Sequence, residues 1–454
     1  MSTIFMNTFF SAFASFMWGP WLLVLLLGTG FWLTIRLRGI QFRALFYALR
    51  LTFSKEREGE GDISHFGSLM TALAATVGIG NIAGVSTAVA LGGPGAIFWM
   101  WVTGLVGMAT KYSEGFLAVK FRRINEQGEI SGGPMYYLEE GLKKKWLGMC
   151  FAAFGACAAF GIGNMVQANT TAVAVNESTG FNSVTIGMLL AILTGLVVIG
   201  GIKRIADVAS YLVPFMVAIY FVGALIVIFS HIDQLGAGLR MVFDHAFTGT
   251  AATGGFVGAS LANGIRYGVA RGLFSNESGM GSAPIVAAAA RTNHPCKQAL
   301  VSMTGTFIDT LIVCSITAMA ISSTGVWTSG ETGVALTIQA FSAGLPGYWG
   351  KLLVTLGTIT FAFSTILAWE YYGEKCFEYL FGEKYIFLYR YVWVVFVFVG
   401  AQIKLDIVWN ISDAMNALMA IPNLIGLICL SGLLVRETRL YEEGVQQGSI
   451  NKFD

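Results

Sequence analysis

The sequence predicts an all-α, polytopic membrane protein of about eleven transmembrane helices. Three observations carry that prediction. Of 454 residues, 55% are hydrophobic and only 12% charged, where soluble domains carry roughly a quarter charged. Apolar windows of about 20 residues, the length that spans a bilayer, recur along the whole chain. The basic residues gather in the gaps between them. A formal net charge of +2, from 28 basic and 26 acidic residues, gives no polyelectrolyte character, so the expected surroundings are a lipid bilayer and not a nucleic acid.

The windows fall at about 17–36, 64–91, 95–120, 146–175, 183–201, 206–230, 256–290, 297–323, 348–372, 385–403 and 406–434. With the loops assigned alternately, 21 of the 28 Lys and Arg lie on one side, and Arg240, Arg266, Arg271, Lys351 and Lys404 on the other. The positive-inside rule then places the N-terminus outside and the C-terminus in the cytoplasm, across the plasma (inner) membrane. The first run ends in Arg36 and Arg38 without a small-residue cleavage site, so it is expected to span and not to be removed. The six cysteines form no C-x-x-C pair and read as apolar packing.

The alternating basic and aromatic stretch RGIQFRALFYALRLTF (38–53) is expected at the inner interface. Half-apolar pieces at 234–247 and 331–341 fall on the outer side. The segment ATVGIGNIAG (75–84) puts three glycines inside a helix-length apolar run. Each glycine costs a helix interior about 1 kcal/mol relative to alanine, so a helix is expected to come apart there. SGMGS (278–282) echoes VGIGN (77–81) in the second half. Five intervening helices make the two carriers antiparallel, and interrupted helices in inverted repeats point to a transporter's midplane site. The expected units are an extra N-terminal helix and interfacial segment (1–63), a first repeat (64–230), a second (231–434) and a cytoplasmic tail (435–454).

The segments GSLMTALAATVGIGNIAGVSTAVALGGPGAIFWMW (67–101), SGGPMYYLEEGL (131–142) and NGIRYGVARGLFSNESGMGSAPIVAAAA (263–290) resemble the signature segments of the alanine or glycine:cation symporter family. The likeness runs from about residue 18 to 434. It implies sodium- or proton-coupled uptake of small amino acids on a LeuT-type five-plus-five inverted-repeat core, with one helix added in front.

A broken helix exposes free amides at one new end and free carbonyls at the other. The amides of Gly78, Ile79 and Gly80 are expected to take the substrate carboxylate, and carbonyls near Thr76 and residues 274–277 its ammonium. Phe274, Met280 and Trp369 are expected to limit the side-chain volume. Gly279 belongs to the second break, and Asn164, Gln167 and Thr171 form an amide-rich face of the fourth window. The resemblance implies a sodium site from the carbonyls of Ala74, Val77 and Phe361 with the hydroxyls of Ser364 and Thr365. It also implies a second cation position at the Thr76 carbonyl, Asn81 and Ser275, where Thr306 and Asp309 are this chain's own additions.

Asp309 sits mid-span, where a charge is functional by default: a cation ligand, a proton carrier or the partner of a basic residue. Glu277 has three comparable roles: an ammonium partner, a gate pair with Arg266 or Arg271, or a helix-end residue. Lys111 and Glu114, three apart on one face, are expected to pair. Proton-driven relatives in this resemblance carry a lysine in the fifth core helix; 211–230 has none, which favours sodium. No G-x-x-x-x-G-K-[ST] loop supports an ATP-driven pump, and no H-E-x-x-H or comparable constellation supports an enzyme. A single chain importing alanine or glycine with sodium is the expected function; the alternatives are a proton-coupled carrier or a non-transporting amino-acid sensor.

Overall fold

The computed structural model describes residues 2–54, 59–247, 261–403 and 406–450. Lys55, Arg57, Lys404 and Lys452, which entered the basic-residue count, lie outside these residues, as does the start of the window placed at 256–290. The chain opens with α1 (Ser2–Met17) and α2 (Pro20–Arg36), where Pro20 supplies a first-turn residue that needs no N–H. The short α3 (Ile40–Arg43) and α4 (Leu45–Thr52) follow on the basic–aromatic stretch.

α5 (His65–Thr76) is capped by Ser64, whose Oγ accepts from Gly67 N at 3.0 Å. A π turn (Gly80–Gly84) and α6 (Val85–Gly92) continue it at a 52° bend. α7 (Gly95–Lys120) leads to a hairpin of β1 (Arg123–Ile124) and β2 (Ile130–Ser131), then α8 (Pro134–Tyr136) with a π turn to Gly141. α9 (Lys145–Ala158) passes through a π turn (Ala159–Met165) into α10 (Val166–Thr179). α11 (Ser183–Val198), α12 (Gly201–Ser230) and α13 (Ile232–Phe247) complete the first half.

In the second half, α14 (Leu261–Asn276) and α15 (Ala283–Ala288) flank the second break. α16 (Pro295–Thr306), a π turn (Phe307–Cys314) and α17 (Ser315–Thr324) form one long element. α18 (Gly333–Gly344), α19 (Trp349–Phe381), α20 (Ile386–Gln402) and α21 (Asp406–Gln446) follow. Among the described residues, seven helices are long and apolar enough to cross a membrane, eight if the bent α5–α6 pair is one span. α11 has only 16 residues, and α7 and α14 carry Lys111, Glu114, Arg266 and Arg271 within them.

The polarity is inverted relative to a soluble protein. Large apolar side chains on α11 (Leu189, Ile192), α12 (Phe215, Phe229) and α20 (Phe387, Val395) are exposed, an apolar belt suited to lipid. Asn81, Glu114, Asp309 and Glu370 are all 0% exposed. α21 also runs twelve residues past the expected end at 434, held by Glu437 on Lys120 (2.9 Å), Glu442 on Arg43 (3.0 Å) and Tyr441 on Tyr47 (2.9 Å). Lys375, which falls in the gap between the windows expected at 348–372 and 385–403, lies inside α19, fully buried, with Glu378 at 2.7 Å and Ser131 at 3.1 Å.

The two breaks are built differently. At the first, Gly78 permits a close approach, since a Cβ there would come within 2.8 Å of Thr365 Oγ1. At the second, Gly279 (φ 88°) and Gly281 (φ 84°) supply left-handed backbone. Two residues before Gly279, Glu277, which is not a glycine, also holds φ 54° while buried. A strained non-glycine residue of this kind persists only where its surroundings over-determine it, and such residues cluster at functional sites.

Candidate functional site

Both breaks face one small cavity of about 20 Å³. Of the expected substrate residues, Thr76, Gly78, Ile79, Gly80, Gln167, Phe274, Glu277, Met280 and Trp369 line it. The Gly78 amide is already engaged by Thr76 O (2.9 Å) and Asn81 Oδ1 (3.0 Å), so Ile79 and Gly80 are the better amides for a carboxylate. Gln167 donates to Ile162 O at 3.0 Å, and its Oε1 is buried without a partner among the described residues. That oxygen is an acceptor suited to an ammonium.

Two expected residues lie elsewhere. Asn164 turns to α20 and donates to Trp393 O at 2.9 Å. It sits in the π turn before α10, and the wider turn breaks the helical spacing that placed it beside Gln167. Gly279 faces scaffolding: a Cβ on it would meet Leu26 and Leu424. Asn416 of α21 lines the cavity and was missed. An amide inside an apolar span, three residues past Asp413, was its one sequence signal.

Glu277 makes none of the expected pairs with Arg266 or Arg271. Its Oε1 accepts from Trp369 Nε1 at 3.1 Å and its Oε2 from Ser282 Oγ at 2.6 Å. The bond fixes the Trp369 ring, which packs edge-on to Tyr372 at 5.6 Å. Gly163 lets that ring come close, since a Cβ there would overlap it. On the other flank, a vestibule of about 560 Å³ shares Ile79, Gly80 and Phe274 with the cavity. These three residues therefore form the partition between them, with the Arg271 guanidinium 5.9 Å from the Phe274 ring.

Below the first break, four oxygens converge. Ser364 Oγ lies 3.3 Å from Ala74 O and 2.9 Å from Phe361 O. Thr365 Oγ1 lies 3.1 and 3.0 Å from the same two carbonyls. Each hydroxyl donates to a carbonyl and keeps its lone pairs, so the set offers a hard cation only oxygen. Val77, at the C-cap with ψ 81°, marks where helical backbone ends. These residues therefore fit a sodium ion as cargo. The second set is split. Asp309 is wholly buried and accepts from Asn81 Nδ2 (2.8 Å), Ser275 Oγ (3.0 Å) and Thr310 Oγ1 (2.8 Å). Asp309 joins no basic residue in an ion pair among the described residues. Thr306 is apart from this group, with its hydroxyl 3.2 Å from Ser278 Oγ. The expected Lys111–Glu114 pair is not formed: Glu114 Oε1 instead accepts from Gly279 N and Gly281 N, both at 3.1 Å.

Two interrupted helices around a buried site of backbone ends and oxygens define a secondary transporter. The profile of the sodium:alanine symporter family matches residues 3–454, and the chain belongs to that family. It is 53% identical over 439 residues to the sodium/alanine symporter AgcS of Methanococcus maripaludis, covering 94% of this chain and 96% of the relative. It is 38% identical over 440 residues to the probable sodium/glutamine symporter GlnT of Bacillus subtilis, covering 95% and 90%. The crystal structure of MhsT in complex with L-phenylalanine superposes with a TM-score of 0.60 at 14% identity, over 82% of this chain and 90% of that one. The fold is thus LeuT-type, and the protein is a multi-pass, sodium-coupled amino-acid transporter and not an enzyme.

Proposed function

We propose that the chain imports a small neutral amino acid, alanine or glycine, together with sodium, by alternating access around the cavity between the two breaks. Eleven spans in inverted repeats (64–230 and 231–434), an external N-terminus, a cytoplasmic C-terminus and a working monomer complete the proposal. The carrying observation is that Thr365, whose hydroxyl lies 3.1 Å from Ala74 O just before the first break, lines the same cavity as Ile79 and Gly80, so cation and substrate would order the same break. The wider vestibule on the proposed external side supports an outward-facing arrangement. On the other side, Arg122 closes the structure by donating to the carbonyls of Glu60 (2.7 Å), Ala288 (3.0 Å) and Ala290 (2.8 Å).

The driving force suffices. One positive charge moving down 100 mV yields about 2.3 kcal/mol, and a tenfold sodium gradient about 1.4. Tight coupling would sustain an amino-acid gradient of several hundredfold. The test is uptake of labelled alanine into proteoliposomes under an inward sodium gradient, an inward proton gradient or none. Concentrative uptake with sodium alone is expected; proton-driven uptake, or binding without uptake, would overturn the proposal.

Selectivity should rest on Trp369. Trp369→Ala removes the ring from the cavity and the donor from Glu277, and valine-sized substrates should then gain roughly tenfold on alanine, about 0.8 kcal/mol per added methylene. Competition uptake assays check this, and an unchanged preference would count against Trp369 as the limiting wall.

A further inference from the structure

A second small cavity of about 20 Å³ adjoins the second break, lined by Thr76, Lys111, Glu114, Asn276, Ser302 and Thr306 among others. Three of its polar atoms have no hydrogen-bond partner among the described residues: Lys111 Nζ, Glu114 Oε2 and Asn276 Nδ2. Lys111 is 4% exposed, and the other two residues 0%. Each such group is costly to leave unsatisfied, most of all the charged ones.

We infer that this cavity is a binding site for one water molecule, which bridges the Lys111 ammonium to the Glu114 carboxylate. The three groups select the ligand. Lys111 and Asn276 offer hydrogens, so the ligand must accept; Glu114 Oε2 offers only lone pairs, so it must also donate. A sodium ion would face an ammonium, and a halide has no proton for the carboxylate. Water satisfies all three, and the volume holds about one.

The bridge acts on the substrate cavity through the other oxygen of Glu114. Glu114 Oε1 takes the amides of Gly279 and Gly281 at 3.1 Å and the Asn423 amide at 2.7 Å. Asn423 in turn donates to Gly279 O at 2.8 Å. The loop so held, 277–282, carries Glu277 and Met280 into the substrate cavity. Lys111 and Glu114 are therefore positioning residues: the ammonium, through the water, keeps a carboxylate charged where it clamps the second break.

The uptake arm of the test rests on the transport reading; the structural arm does not. Lys111→Met and Glu114→Gln each leave one buried charge uncompensated, whereas the double variant removes both. Each single should raise KM for alanine by roughly tenfold with less change in maximal rate, and the double should recover most of that loss. A folded double variant as impaired as the worse single would overturn the inference. If a single variant fails to fold, crystals of the wild-type chain grown with bromide decide. Water-sized density touching Lys111, Asn276 and Glu114 without an anomalous signal supports it; a bromide peak, or no density there, overturns it. Wild-type protein lacking sodium-driven uptake would remove the transport reading and leave this structural arm intact.

Discussion

Replacing Ser364 and Thr365 together with alanine is expected to raise the sodium concentration for half-maximal uptake by roughly a hundredfold, at about 1.5 kcal/mol for each lost oxygen contact to a charged group. Each of the two hydroxyls lies within 3.3 Å of both the Ala74 and the Phe361 carbonyl oxygen. The substitution also removes hydrogen bonds to Ala74 O, so a general loss of stability must be told apart from a loss of cation binding. Linkage does so. A cation that binds only the folded protein raises its melting temperature as the cation is added. The wild-type chain should show that rise with sodium, and the double variant should melt without responding to it. A variant that melts earlier yet keeps the full sodium-dependent rise would return both residues to a structural role.

The two breaks were legible because glycine density inside an apolar run weakens a helix, although the G-I-G at 161–163 only widens its helix into a π turn. The Ser364–Thr365 approach to Ala74 was available only through family resemblance, because the two segments are 290 residues apart and no local pattern links them. The misreadings have two causes: the spacing rule was right for an α-helix where the local backbone was not one, or the partner lay far away in the sequence. Asn164 left the expected face because a π turn widens the helix at that point. Glu114 was matched with Lys111 three residues away, but two loop amides of the second break compete for it and win one oxygen. Asn416 and Asn423 lie on the last helix, whose apolar length reads as an ordinary span. The continuation of α21 to Gln446 was hidden by its charge. Its residues are good helix formers, with Arg439 and Glu443 paired at 2.7 Å one turn apart, so the helix persists where hydropathy stops.

Asp309→Asn is the other substitution expected to act strongly, and its direction separates the roles open to this residue. The carboxylate is fully buried and accepts from three neutral donors, Asn81, Ser275 and Thr310, with no basic partner among the described residues. Neutral hydrogen bonds spread its charge but do not cancel it, and a lone charge at such a depth is expensive. A proton or a cation that accompanied it during the cycle would offset that cost. Asn81 links it to the first break, since Asn81 Oδ1 holds Gly78 N while its Nδ2 reaches Asp309. Ser275 links it to the last turn before the second break. A cation drawn to Asp309 would thus order both breaks at once, which is the coupling a symporter needs. If Asp309 is a cation ligand, Asp309→Asn should weaken sodium activation by at least about tenfold and lower the positive charge carried per alanine, while the pH dependence stays as it was. If it carries a proton instead, the variant should keep its sodium activation and lose its response to pH. Current recorded from supported membranes, with labelled uptake measured in parallel, reads both quantities, and an unchanged charge-to-alanine ratio would overturn the cation-ligand assignment.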